Sequence, residues 1–135
     1  MSLQNIKKAF EKKLAALQPT IQTSYEGVTF NPTSGVPYQR TQLVPRRTDN
    51  PSVGDDHYRD NGEFQIFLAY PTNKGTGEIL TRAELVRDFF KRGTTLIEGD
   101  TTVLITKTPQ IAGTSILGDR LVVPVIITYI SDVNT

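Results

Sequence analysis

Three groups of residues in this chain are of types that do chemistry, and each has a spacing that can be tested against the chemistry it would serve. The first is Lys74-Gly75-Thr76-Gly77, followed by Glu78. A glycine-containing loop that opens a helix is where backbone N–H groups cradle phosphates. A P-loop ends in Gly-Lys-Ser/Thr at the helix start, so its lysine follows the glycines; here Lys74 precedes them. A dinucleotide fingerprint needs a third small residue, and Leu80 stands in that place. The segment therefore reads as a flexible turn that lets the chain enter a helix. A small nucleotide-binding enzyme using residues 74–78 is kept as the rival function.

The second group is Asp55-Asp56-His57. His57 is the only histidine and there is no cysteine. Multi-histidine and thiolate metal sites, cysteine nucleophiles and disulfides are thereby excluded. Neighbours along an extended loop do not converge on one point, so these three read as solvated loop charges. No catalytic residue, metal ligand or cofactor site is expected.

The third group is charge of both signs on one segment. Arg46, Arg47 and Arg59 bracket a loop that carries Asp49, Asp55 and Asp56. Opposite charges on an exposed loop suit docking between subunits, where they set register and partner choice. Arg87, Asp88, Lys91 and Arg92 put a similar mixture on a helix. The candidate interface is accordingly Arg46, Arg47, Asp49, Asp55, Asp56, Arg59, Arg87 and Lys91. Nucleic-acid binding would want more basic residues with interleaved aromatics. Fifteen basic against 14 acidic residues leave a net charge of only +1, which also gives no general attraction to an anionic membrane.

The elements that must position these residues follow from periodicity. Leu3, Ile6, Phe10, Leu14 and Leu17 recur at helical spacing, with Lys7, Lys8, Glu11 and Lys12 on the other side. This predicts a helix over 3–17, N-capped by Ser2 and stopped by Pro19. Residues 20–30 and 37–45 read as two strands joined as a hairpin through the turn Asn31-Pro32-Thr33-Ser34-Gly35, with Gly27 at a bulge. Residues 46–57 hold too few apolar side chains to offset their own ordering entropy, and read as a long loop. Residues 58–70 alternate and turn apolar on both faces near Tyr70, which predicts a central strand covered on both sides. Asn61-Gly62 within it suggests a tight turn or a bulge. Ile79, Ala83, Val86 and Phe90 form the stripe of a second helix over 76–92, capped by Gly93. Strands at 101–108 and 119–130 complete the chain, joined by a loop over 111–118; Pro124 places the last at an edge or at a bulge.

The order helix, three strands, helix, two strands implies an α/β (α+β) fold: one mixed, mostly antiparallel sheet of about five strands carrying two helices. A single domain over residues 1–135 is expected. Hydrophobic residues at 37% and charged residues at 21% suit a folded globular chain. No apolar run approaches the ~20 residues of a membrane span, and Met1 to Lys8 holds no apolar segment of signal-peptide type. The expected location is the cytoplasm where the chain is made, unless it leaves within a particle.

Several of these pieces occur together in a known pattern. After the first helix come Gly27-Val28-Thr29-Phe30-Asn31-Pro32 and Pro37-Tyr38-Gln39-Arg40. Gly62-Glu63-Phe64-Gln65-Ile66, Tyr70-Pro71 and Lys74-Gly75-Thr76-Gly77-Glu78 follow, then Phe89-Phe90 and Asp119-Arg120-Leu121-Val122-Val123-Pro124-Val125. Over residues 3–130 the chain resembles the phage tail terminator-like family, grouped with lambda-type tail terminators and tail-completion proteins. The resemblance implies helices on a sheet and a homo-oligomeric, hexameric ring that caps the tail tube. It implies an end to tube polymerisation and a surface for joining the head. The implied partners are copies of this chain, the tail tube protein and a head-completion or connector protein. The implied locations are the host bacterial cytoplasm during assembly and then the virion tail. A head–tail connector, or neck, subunit is the runner-up. The family brings no catalytic motif, and Gly75, Gly77 and Pro124 take no catalytic role from it.

Overall fold

A computed structural model describes residues 2–48, 57–72 and 75–134. Helix α1 spans Ser2–Ala15 and α2 spans Gly77–Phe89. The strands are β1 (Gln22–Ser24), β2 (Tyr38–Pro45), β3 (His57–Pro71), β4 (Thr95–Glu98), β5 (Thr101–Ile105), β6 (Gln110–Ile111), β7 (Ser115–Leu117) and β8 (Arg120–Asn134). They form one sheet in the order β1-β2-β3-β8-β5-β4, with β6 and β7 also bonded to β8.

The centre of the sheet is a pair of long strands. β3 and β8 run antiparallel in register from His57↔Asn134 to Pro71↔Arg120, so all 15 residues of each are paired. Alternation then divides their side chains. Phe64, Ile66, Leu68 and Tyr70 of β3 lie opposite Ile127, Val125, Val123 and Leu121 of β8, and all eight are buried. Both helices cover this face. Helix α1 contributes Ile6, Ala9, Phe10, Leu14 and the following Leu17; α2 contributes Ile79, Ala83, Val86 and the following Phe90. Phe10 stands at the junction. Its ring stacks on Phe64 at 4.7 Å between centroids and lies 5.6 Å from Tyr129 and 6.1 Å from Phe90, joining both helices to both long strands. At the rim, Lys12 Nζ meets Glu98 Oε1 at 2.7 Å and Asn5 Nδ2 donates to Thr101 Oγ1 at 3.1 Å, tying α1 to the β4–β5 hairpin.

Gly62 is required for this arrangement. A Cβ there would stand 2.4 Å from the Val44 carbonyl oxygen and 3.1 Å from the Tyr129 hydroxyl. Asn61-Gly62 is therefore neither a turn nor a bulge: β3 stays paired with β8 through it, and Gly62 lets β2 approach.

The two helices and the mixed, mostly antiparallel sheet are as expected, but among the described residues the strands number eight rather than about five. The additional ones are short. β4 precedes β5 as a hairpin partner, and β6 and β7 lie within what reads as a loop, because β8 is longer than any one strand on the side away from β3 and needs several to bond that side. The expected first hairpin is also different: β1 is only three residues long and pairs parallel to β2, Gln22↔Tyr38. Gly27 lies in a turn at φ 81° rather than at a bulge. Leu3, placed on the apolar stripe, is 44% exposed beyond the end of the sheet contact. Helix α2 ends at Phe89, ahead of the proposed cap, and Gly93 (φ 90°) turns the chain toward β4 while its N–H bonds the Ile105 carbonyl at 2.8 Å.

Pro124 lies neither at the sheet edge nor at a bulge, since β8 has neighbours on both sides. Its missing donor is accommodated locally. Ala112 N–H bonds the Pro124 carbonyl at 2.9 Å, and β6 has already ended at Ile111, so no ladder acceptor awaits a Pro124 N–H.

Candidate functional site

The alternation that buries one face of β3 and β8 presents a second set of side chains on the other. Across β2, β3 and β8 the rows are Arg40–Phe67–Pro124, Gln42–Gln65–Ile126 and Val44–Glu63–Thr128; Asn61–Ile130 then continues onto Leu104 of β5. Both helices lie on the opposite side, and most of these residues are half-buried or exposed. The expectation that β3 is covered on both faces therefore holds only for Ala69 near its end. Phe67 is a partial exception to exposure: the Arg40 guanidinium lies over its ring, 4.5 Å from the centroid. At one margin, Leu117 shares a shallow depression with Tyr38, Arg40, Phe67 and Val122. Leu117 is 73% exposed, Ile116 beside it 71%, and Ile97 on the edge strand β4 70%. Single exposed apolar side chains are ordinary, but Leu117 adjoins Phe67 and Val122 and so extends the apolar rows.

Charged pairs sit among the apolar rows. Arg46 Nη2 meets Glu63 Oε2 at 2.9 Å. Arg59 grips Asp132 with Nε at 2.7 Å and Nη2 at 3.2 Å, across a β3–β8 pair of this same face. The Arg47 carbonyl accepts from Asn61 Nδ2 at 2.8 Å, while the Arg47 side chain faces out. Arg46, Arg47 and Arg59 are thus gathered at one end of the helix-free face. Arg87 and Lys91 lie on and just after α2, in the helix layer on the other side of the sheet, so the structure does not bring them to the first three. Asp49, Asp55 and Asp56 lie outside the described residues, as does Lys74.

What that reading of charge overlooked is the apolar ladder between the charges: Phe67, Pro124, Ile126, Ile130 and Leu117. Its signal in the sequence is 119–130, too apolar for a strand with one wet face.

The glycine loop enters α2 through Gly75 at φ 71°, and Thr76 at the N-cap makes no side-chain cap bond. Glu78 occupies the first turn, where a phosphate-binding helix would gain from having no carboxylate. Among the described residues no group of three or more His, Asp and Glu converges as a metal site, and no helix is long and apolar enough to cross a membrane.

Comparison with known proteins adds three findings. The family model described as phage tail terminator protein matches residues 5–129. One solved structure, of a protein without a stated role, superposes with a TM-score of 0.79 at 22% identity, covering 100% of this chain and 97% of that one. A chain in the virion of a native gene transfer agent particle superposes with a TM-score of 0.61 at 15% identity, covering 97% of each. No curated protein matches the sequence.

Proposed function

The chain belongs to the phage tail terminator family, and from that premise we propose that it is a structural subunit that closes into a hexameric ring on the end of the tail tube. The ring stops tube polymerisation and offers the head-completion protein its joining surface. The observation that carries this reading is the helix-free face: one side of the sheet is sealed by both helices, and the other keeps Phe67, Ile126, Ile130 and the exposed Leu117 without a cover. A closed ring needs one heterologous contact repeated until it meets itself, and a sheet face that is apolar at its centre and charged at one end suits such a contact. Arg46, Arg47 and Arg59 would set its register, while Arg87 and Lys91, on the opposite side, would face a different neighbour or the tube. Such a subunit acts by shape and charge; it is made in the host cytoplasm and ends in the virion tail. The same fold in a gene transfer agent virion fits that place.

Electron microscopy of tails assembled without this protein tests the role. Overlong, uncapped tubes are expected. Tails of normal length that fail to join heads would favour a neck connector instead. Charge reversal at Arg46 and Arg47 should impair ring assembly without lowering Tm; normal assembly would remove that end of the sheet from the interface. A nucleotide-dependent rise in Tm abolished by Lys74→Ala would favour the enzyme reading.

A further inference from the structure

A cavity of about 730 Å³ opens where the start of α2 faces the α1–β1 connection, away from the helix-free sheet face. That volume is within the range of small-ligand sites. Pro19, Ile21, Pro37 and Leu85 give it apolar walls, and Tyr70, Glu78, Thr81 and Arg82 supply its polar groups. Arg82 is 5% exposed. Its Nη1 donates to the Pro19 carbonyl; Nε and Nη2 have no hydrogen-bond partner and are closed to water, so a ligand reaches them only by displacing the groups that cover them. These two nitrogens share one edge of the guanidinium, and their parallel N–H bonds form the fork that matches the two oxygens of a carboxylate. Buried donors of a charged group are almost always met, because leaving them unmet costs the full desolvation penalty.

We propose that this cavity binds a single carboxylate on an apolar stem, held side-on by the Nε–Nη2 edge of Arg82. The surroundings favour that ligand over others. Tyr70 is buried beside the guanidinium; burial holds its phenol above the ordinary range, with Arg82 opposing, so it keeps its proton as a donor. The first turn of the 13-residue α2 borders the cavity at Gly77 and adds the positive end of its dipole. Glu78 also lines the cavity, one helical turn before Arg82, and forms no ion pair with it. Its charge disfavours a dianion such as phosphate. The carboxylate comes either from an acidic side chain of another protein chain or from a free small acid.

The test follows the Arg82 Nε–H resonance of the full chain by NMR during titration. The probes are phenylacetate and the blocked dipeptide acetyl-Leu-Glu-amide, each against its neutral counterpart, phenylacetamide and acetyl-Leu-Gln-amide. At least one acid should move that resonance downfield and bind tenfold or more tightly than its neutral counterpart. Tighter binding of the dipeptide assigns the carboxylate to a protein chain, and tighter binding of phenylacetate to a small acid; either sustains the site. Equal binding of acid and amide, or no movement of the Arg82 resonance, overturns it; the latter is also the result if Glu78 swings in to fill the fork. Gly77→Leu keeps Arg82 and should abolish the titration with Tm unchanged, because Gly77 lines the cavity and a Cβ there meets nothing within 4 Å, so a bulky side chain has room to obstruct it without a clash. Undiminished binding by a folded Gly77→Leu protein would likewise overturn the assignment.

Discussion

The two faces of the central β3–β8 pair are made by the same strands, one residue apart, yet they solve opposite problems. On the helix face Phe64 and Ile127 are fully buried, Phe64 stacked on Phe10. On the other face Phe67, Ile126 and Ile130 are nearly as apolar but are only partly covered. The first face is closed within the chain; the second, in the proposed ring, is completed by a neighbouring copy. Substitutions should therefore separate stability from assembly according to the parity of the strand position.

The largest effect belongs to the helix face. Phe10→Ala removes the ring shared by both helices and both long strands. It should cost about 3–5 kcal/mol in urea unfolding. Gly62→Ala follows, at about 1–3 kcal/mol, because the new methyl must displace the Val44 carbonyl or the Tyr129 hydroxyl. Alkali should probe the same face. Burial first, and Asp60 second, push the Tyr129 phenol from 10 up to about 12. Above pH 10 the unfolded chain then ionises while the folded chain stays protonated. The contribution is complete below pH 10 and is lost as pH rises through 12. Tyr129→Phe should flatten that loss in thermal melts across pH 9–12. On the helix-free face, Ile126→Arg should change unfolding free energy by less than about 1 kcal/mol. It should nevertheless abolish higher oligomers in sedimentation; a variant that loses stability but still assembles would reverse the contrast. The smallest effect is expected of Arg59→Ala. Its ion pair with Asp132 is 38% and 41% exposed on its two sides, so about 0.2–1 kcal/mol is at stake in a double-mutant cycle.

Much of the fold is legible in the residues because burial imposes a period. The stripes Ile6–Phe10–Leu14 and Ile79–Ala83–Val86 set both helices, and Phe64 to Tyr70 announce β3. The short strands carry no such signal. Ile116 and Leu117 of β7 are both exposed, four-residue β4 buries one apolar side chain, Leu96, beside the exposed Ile97, and two-residue β6 is too short for any period. The parallel pairing of β1 depends on a long-range choice of partner that local turn residues at 31–35 misdirect toward a hairpin. The charge cluster at Arg46, Arg47 and Arg59 was readable because those residues are close in sequence. Arg82 was readable in principle: it is the one charged residue on the buried stripe of α2. That it leaves two buried donors without a partner depends on Pro19, 63 residues away.

The order of synthesis gives the β3–β8 ladder one more consequence. Its partners are separated by a helix and four strands, and β8 is the last strand of the sheet to be made. A nascent chain can zip β2 onto β3, but β3 keeps a bare backbone edge until residues 120–134 emerge. Closing so long a loop makes this the slow event of folding. Three of the five apolar residues of the proposed contact, Pro124, Ile126 and Ile130, arrive on that same strand. If that face closes the proposed ring, an unfinished polypeptide lacks the means to dock, and immature copies stay out of a growing particle.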